Sequence, residues 1–536
     1  MTALRSARRA TSGGLALGLI TLLSIAGPLQ STYAQAAPRG KAVYDKWCAE
    51  CHGVNGAGDG SAATYMLPRP RDFTKAVYQI RTTASGELPT DADIRRVIDD
   101  GMPGTAMPGW ATLLKRDERD DLVAYLKTFS QFFSGGAPPT TAIAIGRAPG
   151  SSDESIADGR QAYTTLECAK CHGEQGRGDG QSAPTLKDDF DQPIRAADLS
   201  ASWNFNGGNS VEAIYTRLRT GLDGTPMPSF SDAVDANVVT DEQLWHVAQY
   251  VRSLSPREAP RVREVVRAAL TGGPLPASPD DSAWNAVERF WIPLVGQIII
   301  KPRWFAPRID GVWVQGIHDG QALALRLSWH DPSRSPDPAW NEWLGRMAAS
   351  MTTADGPNAT QQGGGSDRFV VQFPERLGDI TEWPYFLGGD SRRAVYAWRW
   401  TSDTNAVREG RGAGLGRFTP HESSSLTHAA VFDQGEWRLQ VTRPLVPPDT
   451  TRAPVFPTGR AIPIAFFAAD GSNGEDDVRG SVSAWYAIYL DVPTPPRVYV
   501  APAAAILLTA VFGFLVVMQA QRRERTFRRS TMEVTS

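Results

Sequence analysis

Cysteine is scarce in this chain: 536 residues hold four, Cys48, Cys51, Cys168 and Cys171. They form two close pairs and leave none over. Four cysteines in an exported chain first suggest disulfides, but here a histidine follows each pair at once. An excess of charge of one sign is also lacking. Lys and Arg number 55 against 58 Asp and Glu, a net charge of −3. No basic domain or aromatic-rich basic groove is present to hold nucleic acid. No acid–base pair, metal cluster or nucleophile motif has usable spacing, so no catalytic residue is assigned and no activity is expected of the chain alone. What the chain does have is glycine (50) and proline (39), which suit long connections and short strands better than a helical bundle. Its length asks for about three domains.

The two ends differ. Arg5, Arg8 and Arg9 precede a short apolar run, Leu15 to Ile25, too short to span a bilayer stably. Ala34-Gln35-Ala36 is a small-x-small cleavage site. Residues 1–36 therefore read as an export signal, with a retained N-terminal anchor as the alternative. At the other end, Val498 to Met518 is an uncharged run, about 30 Å long as a helix. Arg522, Arg523, Arg525, Arg528 and Arg529 follow. The positive-inside rule keeps that tail, 519–536, in the cytoplasm and the bulk of the chain outside. A buried core helix is the competing reading, and the arginine cluster argues against it.

Two segments repeat. Lys46 to Gly60 reads KWCAECHGVNGAGDG, and Glu167 to Gly180 reads ECAKCHGEQGRGDG. The register between them carries Met107 onto Met227, and Gly101, Gly104, Thr105 and Pro108 onto Gly221, Gly224, Thr225 and Pro228. Each copy has a helical pattern before its cysteines (Ala42 to Trp47; Gln161 to Leu166) and another after its methionine (Asp121 to Phe129; Leu244 to Leu254). The copies are bounded at 39–133 and 158–254. Linkers are expected at 134–157 and 255–280.

From 281 to 494 the pattern changes to alternation. Leu323, Leu325, Leu327 and Trp329 share one face. Phe369 to Phe373, Ala394 to Trp400, Trp437 to Thr442 and Ser481 to Leu490 are similar runs separated by Gly, Asp and Pro. This is an all-β signature, most simply a sandwich. The expected fold is thus multidomain: two small all-α units, one all-β unit and one C-terminal transmembrane helix at 498–518.

Cys-x-x-Cys-His is the attachment signature of c-type haem. Thiols about one helical turn apart reach the two vinyl groups on one porphyrin edge. The next histidine, His52 or His172, then lies under the iron. A second axial ligand must come from far along the chain, and a thioether in a loop fits best because it raises the reduction potential relative to nitrogen. Met107 and Met227, each followed by proline, occupy such loops. Met102 is a local competitor, but Leu222 stands at its equivalent. Zinc needs four ligands per site. Each half offers three, and a single four-thiolate site would leave the duplicated methionine loops without a role. A redox dithiol explains neither histidine nor methionine.

The two segments look like class I cytochrome c domains, including the CHGxxGxGDG extension (Cys51 to Gly60; Cys171 to Gly180). That resemblance implies small helical folds around two covalently bound haem c groups. The third region resembles the haem b-binding γ subunit of ethylbenzene dehydrogenase and of related periplasmic molybdenum enzymes of the dimethyl sulfoxide reductase type, some nitrite oxidoreductases included. The resemblance lies in Arg368 to Pro374, Pro384 to Asp390, Val395 to Trp398, Gly435 to Trp437 and Ser483 to Tyr486. That family holds haem b between a methionine and a lysine. Here Gly388 stands near the methionine position, no lysine follows Lys301, and Met347 and Met351 lie in a different stretch. His318, His330, His421 and His428 remain as conceivable ligands. The resemblance implies a docking module for molybdoenzyme catalytic and iron–sulfur subunits, with a soluble or membrane carrier as the second redox partner. A free-standing enzyme and a ligand-binding sandwich are the alternatives. In the latter, Trp329, Trp398, Trp400 and Trp437 would stack on the ligand.

Overall fold

The computed structural model describes residues 27–134, 140–350, 365–493 and 495–533. The positively charged start and apolar run of the export signal lie outside these residues.

The first helical unit is built from α1 (Gly27–Trp47), the one-turn α2 (Ala49–His52), α3 (Asp91–Asp100) and α4 (Arg116–Lys127). The second uses α5 (Asp153–Thr165), the one-turn α6 (Ala169–His172), α7 (Val211–Thr220), the short α8 (Ser231–Asp235) and α9 (Asp241–Ser253). Reciprocal capping boxes start α3 (Thr90 with Asp93), α5 (Ser152 with Ser155) and α9 (Thr240 with Gln243). Each satisfies backbone donors that the first turn leaves free. The first and last long helices of each unit cross at a glycine. A Cβ on Gly40 would sit 2.1 Å from the Asp121 carbonyl oxygen, and one on Gly159 would sit 2.0 Å from that of His246. Only hydrogen fits there, so the helix backbones touch. Leu122, Val123 and Leu126 of α4, and Leu244, Val247 and Val251 of α9, fill the two cores behind these crossings.

The third unit is a β domain with strands β1 (Val265–Leu270), β2 (Phe290–Pro293), β3 (Val295–Gly296), β4 (Gly311–His318), β5 (Ala322–His330), β6 (Arg368–Pro374), β7 (Val395–Thr401), β8 (Ala406–Gly412), β9 (Phe418–Pro420), β10 (Thr427–Asp433), β11 (Glu436–Pro444), β12 (Ala461–Ala469), β13 (Ser481–Val482) and β14 (Tyr486–Leu490). They follow the order β10-β11-β5-β4-β1-β14-β12-β6-β7-β8-β9. β12 pairs β14 through Ala461–Ile464 and β6 through Ala465–Ala469, so one strand serves both halves and the sheet folds over on itself. Leu323, Leu325, Leu327 and Trp329 on one half and Phe369, Trp398 and Trp400 on the other meet in a single core. Trp329 stacks on Phe369 with ring centroids 4.4 Å apart, and Trp437 meets Trp400 edge-on at 4.5 Å. All four tryptophans offered above as stacking platforms are at most 1% exposed. They hold the halves together and present no face to a ligand.

Several boundaries differ from the sequence expectation: α1 begins at Gly27, inside the segment read as an export signal, and the last helix of the chain runs on through the arginine cluster to Glu533. The 255–280 segment is more than a linker: its Val265–Leu270 is β1, paired in parallel with both β14 and β4. α5 begins at Asp153, inside the expected 134–157 linker, because Ser152 caps it there. Ser481 to Leu490 is two strands, interrupted where Ser483 turns its hydroxyl back to the Ala484 carbonyl. Among its described residues the β domain also carries an α-helix, α10 (Asn341–Ser350), with Met347 fully buried.

The helical and β units are packed against each other. Arg195 donates to the carbonyls of Pro307 (2.9 Å) and Ala306 (3.1 Å) and to Asn473 Oδ1 (2.9 Å). Arg177 donates to the Gln434 carbonyl at 2.8 Å and pairs with Glu436. After β14 the chain continues into α11 (Arg497–Glu533). Its Val498–Arg529 portion is long and apolar enough to cross a membrane, and none of it is buried against the protein.

Candidate functional site

Each Cys-x-x-Cys-His run folds into a single helical turn. The His52 N–H donates to the Cys48 carbonyl at 2.9 Å, and the His172 N–H to that of Cys168 at 3.0 Å. A tyrosine on the preceding helix locks the turn from beneath. Tyr44 Oη donates to the Gly53 carbonyl at 2.6 Å, and Tyr163 Oη to that of Gly173 at 2.8 Å. Tyr163 stands one residue further from its cysteine than Tyr44 does. The extra residue is absorbed at Glu167, whose φ of 58° is left-handed.

The histidine rings are held in one tautomer. His52 Nδ1 lies 3.0 Å from the Arg71 carbonyl oxygen, and His172 Nδ1 lies 2.9 Å from that of Ala197. A carbonyl only accepts, so Nδ1 carries the proton and Nε2 keeps its lone pair for a metal. Burial lowers the pKa of both rings and favours this neutral form. His52 also stacks on Phe73 at 4.6 Å. Leu199 takes the place of Phe73 in the second unit: each donates its N–H to the corresponding glycine carbonyl, Gly56 or Gly176.

The methionine loops match bond for bond. Met102 N–H donates to the Met107 carbonyl at 3.0 Å, and Leu222 N–H to that of Met227 at 3.1 Å. Thr105 Oγ1 donates to the Met102 carbonyl and receives the Met107 N–H, and Thr225 does the same with Leu222 and Met227. Met102 thus closes the loop through its backbone, and an apolar residue of another kind serves equally well at Leu222. Met107 and Met227 are both half-buried.

The cysteines are not set up for thiol chemistry. They form no disulfide. Burial pushes Cys48 and Cys168 up to about 12 and raises Cys51 and Cys171 as well. A redox dithiol needs the opposite shift. The single-zinc alternative also lacks its geometry: among the described residues, the one group of three or more metal-ligating side chains contains no cysteine or histidine. Two polar atoms against the first core lack partners, Tyr78 Oη and Trp110 Nε1. Donors left over beside a Cys-x-x-Cys-His turn fit a haem, whose propionates accept hydrogen bonds.

The two methionine loops lie at the interface between the helical units. A Cβ on Gly104 would be 3.5 Å from Asn204 of the second unit, and one on Gly224 would be 3.0 Å from Val77 and 3.4 Å from Arg71 of the first. Arg81, 1% exposed, donates to the Thr220 carbonyl at 2.8 Å and pairs with Asp223 at 2.7 Å. Arg71, whose carbonyl holds His52, also sends its guanidinium toward the second methionine loop.

The model of the cytochrome c family matches residues 37–130 and 156–255. These two segments are cytochrome c domains. Together with the β domain and the membrane-spanning helix they make the chain a membrane-anchored dihaem c-type cytochrome. Among curated relatives, a protein described as a respiratory nitrate reductase heme subunit from Haloferax mediterranei is 27% identical over 242 residues, 45% of this chain and 76% of its own length. The Cbb3-type cytochrome c oxidase subunit CcoP of Rhodobacter capsulatus is 29% identical over 234 residues, 43% of this chain and 65% of its own. Among solved structures, the reducing HAO-like protein complex of Kuenenia stuttgartiensis contains a chain 44% identical to this one. The match covers 41% of this chain and 96% of that one, with a TM-score of 0.38. The two curated relatives are described as subunits of a respiratory nitrate reductase and of a cytochrome c oxidase.

The β-domain histidines are engaged elsewhere. His318 Nε2 donates to the Asp491 carbonyl at 2.9 Å, His330 pairs with Asp198, and His428 Nε2 accepts the Val407 N–H at 3.3 Å. His421 packs its ring 6.4 Å from that of Tyr396. Sequence reasoning missed Tyr44, Tyr163, Arg71, Ala197 and Arg81. A tyrosine four or five residues before each first cysteine was the one signal available for them.

Proposed function

We propose that the chain is the periplasmic electron-transfer subunit of a respiratory redox complex. In this reading Cys48 and Cys51 would attach one haem and Cys168 and Cys171 the other, with His52 and Met107 holding the first iron and His172 and Met227 the second. The carrying observation is duplication of the whole frame: cysteine turn, Nδ1–carbonyl bond and methionine loop recur with matching hydrogen bonds. A bound haem c would supply a one-electron couple, and a methionine ligand beside the histidine would raise its potential. The protein's part is positional. The Arg71 and Ala197 carbonyls fix the imidazole planes, and Thr105 and Thr225 fix the loops that present sulfur. Placing both methionine loops at one interface supports direct electron passage between the two sites.

The β domain docks the catalytic partner in this proposal, a periplasmic molybdenum oxidoreductase with its iron–sulfur subunit. A soluble or membrane carrier exchanges electrons at the other side. α11 holds the assembly at the cytoplasmic membrane, with the arginine tail inside. A docking role is favoured over a haem b site because Gly388 has φ 79° and a Cβ there would lie 2.9 Å from the Gly414 backbone. No methionine side chain fits at that position.

A pyridine haemochrome assay on the purified protein tests the cofactor assignment. Two c-type haems per chain and no haem b are expected, and colour lost on acid–acetone extraction would refute it. Isolation from membranes tests the partner: a molybdenum-containing subunit is expected to co-purify, and a chain isolated without one from an intact complex would refute the docking role.

A further inference from the structure

Three aspartates converge inside the β domain. Asp331 follows β5, Asp367 precedes β6 and Asp470 follows β12, and one carboxylate oxygen from each lies within 4.8 Å of the others. None of the three is more than 1% exposed. Asp367 is fully furnished with donors. Its Oδ1 accepts from Gly471 N (3.1 Å), and its Oδ2 from Ser335 N (2.8 Å) and Trp437 Nε1 (3.3 Å). Asp331 and Asp470 are furnished on one oxygen only. Asp331 Oδ1 accepts from Ser333 N, and Asp470 Oδ1 from the N–H and hydroxyl of Ser472. Their second oxygens, Asp331 Oδ2 and Asp470 Oδ2, are buried and accept nothing. Arg308 and Arg195 act on the group only from longer range.

Buried like charges without a counter-ion are unstable. Either protons or a cation must neutralise them. The N–H donors aimed at Asp367 and at the furnished oxygens of its neighbours stabilise anions, which favours the cation. Burial and mutual repulsion drive Asp331 and Asp367 well above the ordinary carboxylate range, and a bound cation reverses that direction.

We propose that Asp331, Asp367 and Asp470 form a calcium site that ties together the ends of β5, β6 and β12. The donors are all oxygen, which suits a hard ion and not zinc or copper. Oxygens sharing one calcium at roughly 2.4 Å lie no more than about 4.8 Å apart, as these do. Magnesium keeps several waters and rarely takes a buried, all-protein site. The hydroxyls of Ser333 and Ser335 lie 3.4 Å apart, and Ser335 Oγ donates to Asp470 Oδ1 at 3.5 Å, so their oxygen lone pairs are neutral donors beside the carboxylates that can complete the shell. Asp331 directly follows His330, the partner of Asp198 in the second cytochrome domain. Occupancy therefore firms the seat on which that domain rests.

The test uses the full-length haem-loaded protein in detergent. Elemental analysis should find about one calcium per chain beside the iron. Chelation with EGTA should lower the unfolding temperature of the β domain by roughly 5 °C or more, and calcium should restore it. The double variant Asp331→Asn/Asp470→Asn, relieved of two charges, should fold and show no response to either treatment. Absence of calcium together with an unfolding temperature indifferent to EGTA and to added calcium would overturn the proposal. Equal rescue by magnesium would overturn the assignment to calcium.

Discussion

His330, the last residue of β5, pairs through Nδ1 with Asp198, and the carbonyl of the preceding residue, Ala197, accepts the Nδ1 proton of His172. A strand end in the β domain is thus one residue removed from the bond that orients a candidate iron ligand. The two domains share this junction, so its strength is open to pH.

Burial disfavours the His330 imidazolium, but the Asp198 charge and hydrogen bond outweigh it and raise its pKa above 6.5. Burial likewise opposes the Asp198 carboxylate, and the His330 charge with hydrogen bonds from His330 and Ser200 outweighs it, so Asp198 falls below 3.8. The histidine contribution is therefore complete below 6.5 and lost as pH rises through the raised value. The aspartate contribution is complete above 3.8 and lost as pH falls through the lowered one. His330→Gln should lower the unfolding temperature by a few degrees between about pH 4 and 6.5, and the gap to wild type should shrink above that window. Thermal melts across pH 4–9 check this.

Met107→Ala should lower the midpoint potential of one haem by on the order of 0.1 V or more, through loss of the thioether. The other haem should be unmoved. Met102→Leu, which copies Leu222, should change neither potential. Spectroelectrochemical titration of the three proteins distinguishes the two methionines.

Arg81→Met removes a cation whose side chain is wholly buried, strips the Thr220 carbonyl of its donor and leaves Asp223, 20% exposed, with only the bonds from Ser85 Oγ and Gly86 N. The cost is about 3 kcal/mol, placed at the contact between the cytochrome domains. Reduction of the two haems, which should run as one phase in the parent, is expected to split into a fast and a slow phase in stopped-flow absorbance.

Deleting residues 497–533 with the tail beyond them should move the protein from the membrane to the soluble fraction with its haem content intact, because α11 has no buried contact with the rest of the chain. Fractionation followed by haem staining reads this out.

Local chemistry was legible in the sequence where its spacing repeats. Cys48, His52 and Met107 map onto Cys168, His172 and Met227 at one constant offset, so duplication exposed both site and loop. The second-layer partners were hidden because the copies drift: His52 bonds to Arg71 and His172 to Ala197, positions that the common offset does not relate. Alternation identified the strand carrying Leu323 to Trp329, where one face is buried. It failed for Val265 to Leu270, a short strand whose Gly- and Pro-rich surroundings read as a connector. The aspartate trio was invisible for another reason. Its members come from three distant strand ends, and only the folding-over of the sheet at β12 brings them together.

β1 and β14 run parallel, with Val265 opposite Ala487 and Ala268 opposite Leu490. The chain arrives from the second cytochrome domain at the leading end of that pair and leaves for α11 at the trailing end. Parallel neighbours entered and left in this way act as a stand-off strut of roughly 15–20 Å. The junction with the cytochrome domains and the root of α11 therefore sit at opposite ends of one strand pair.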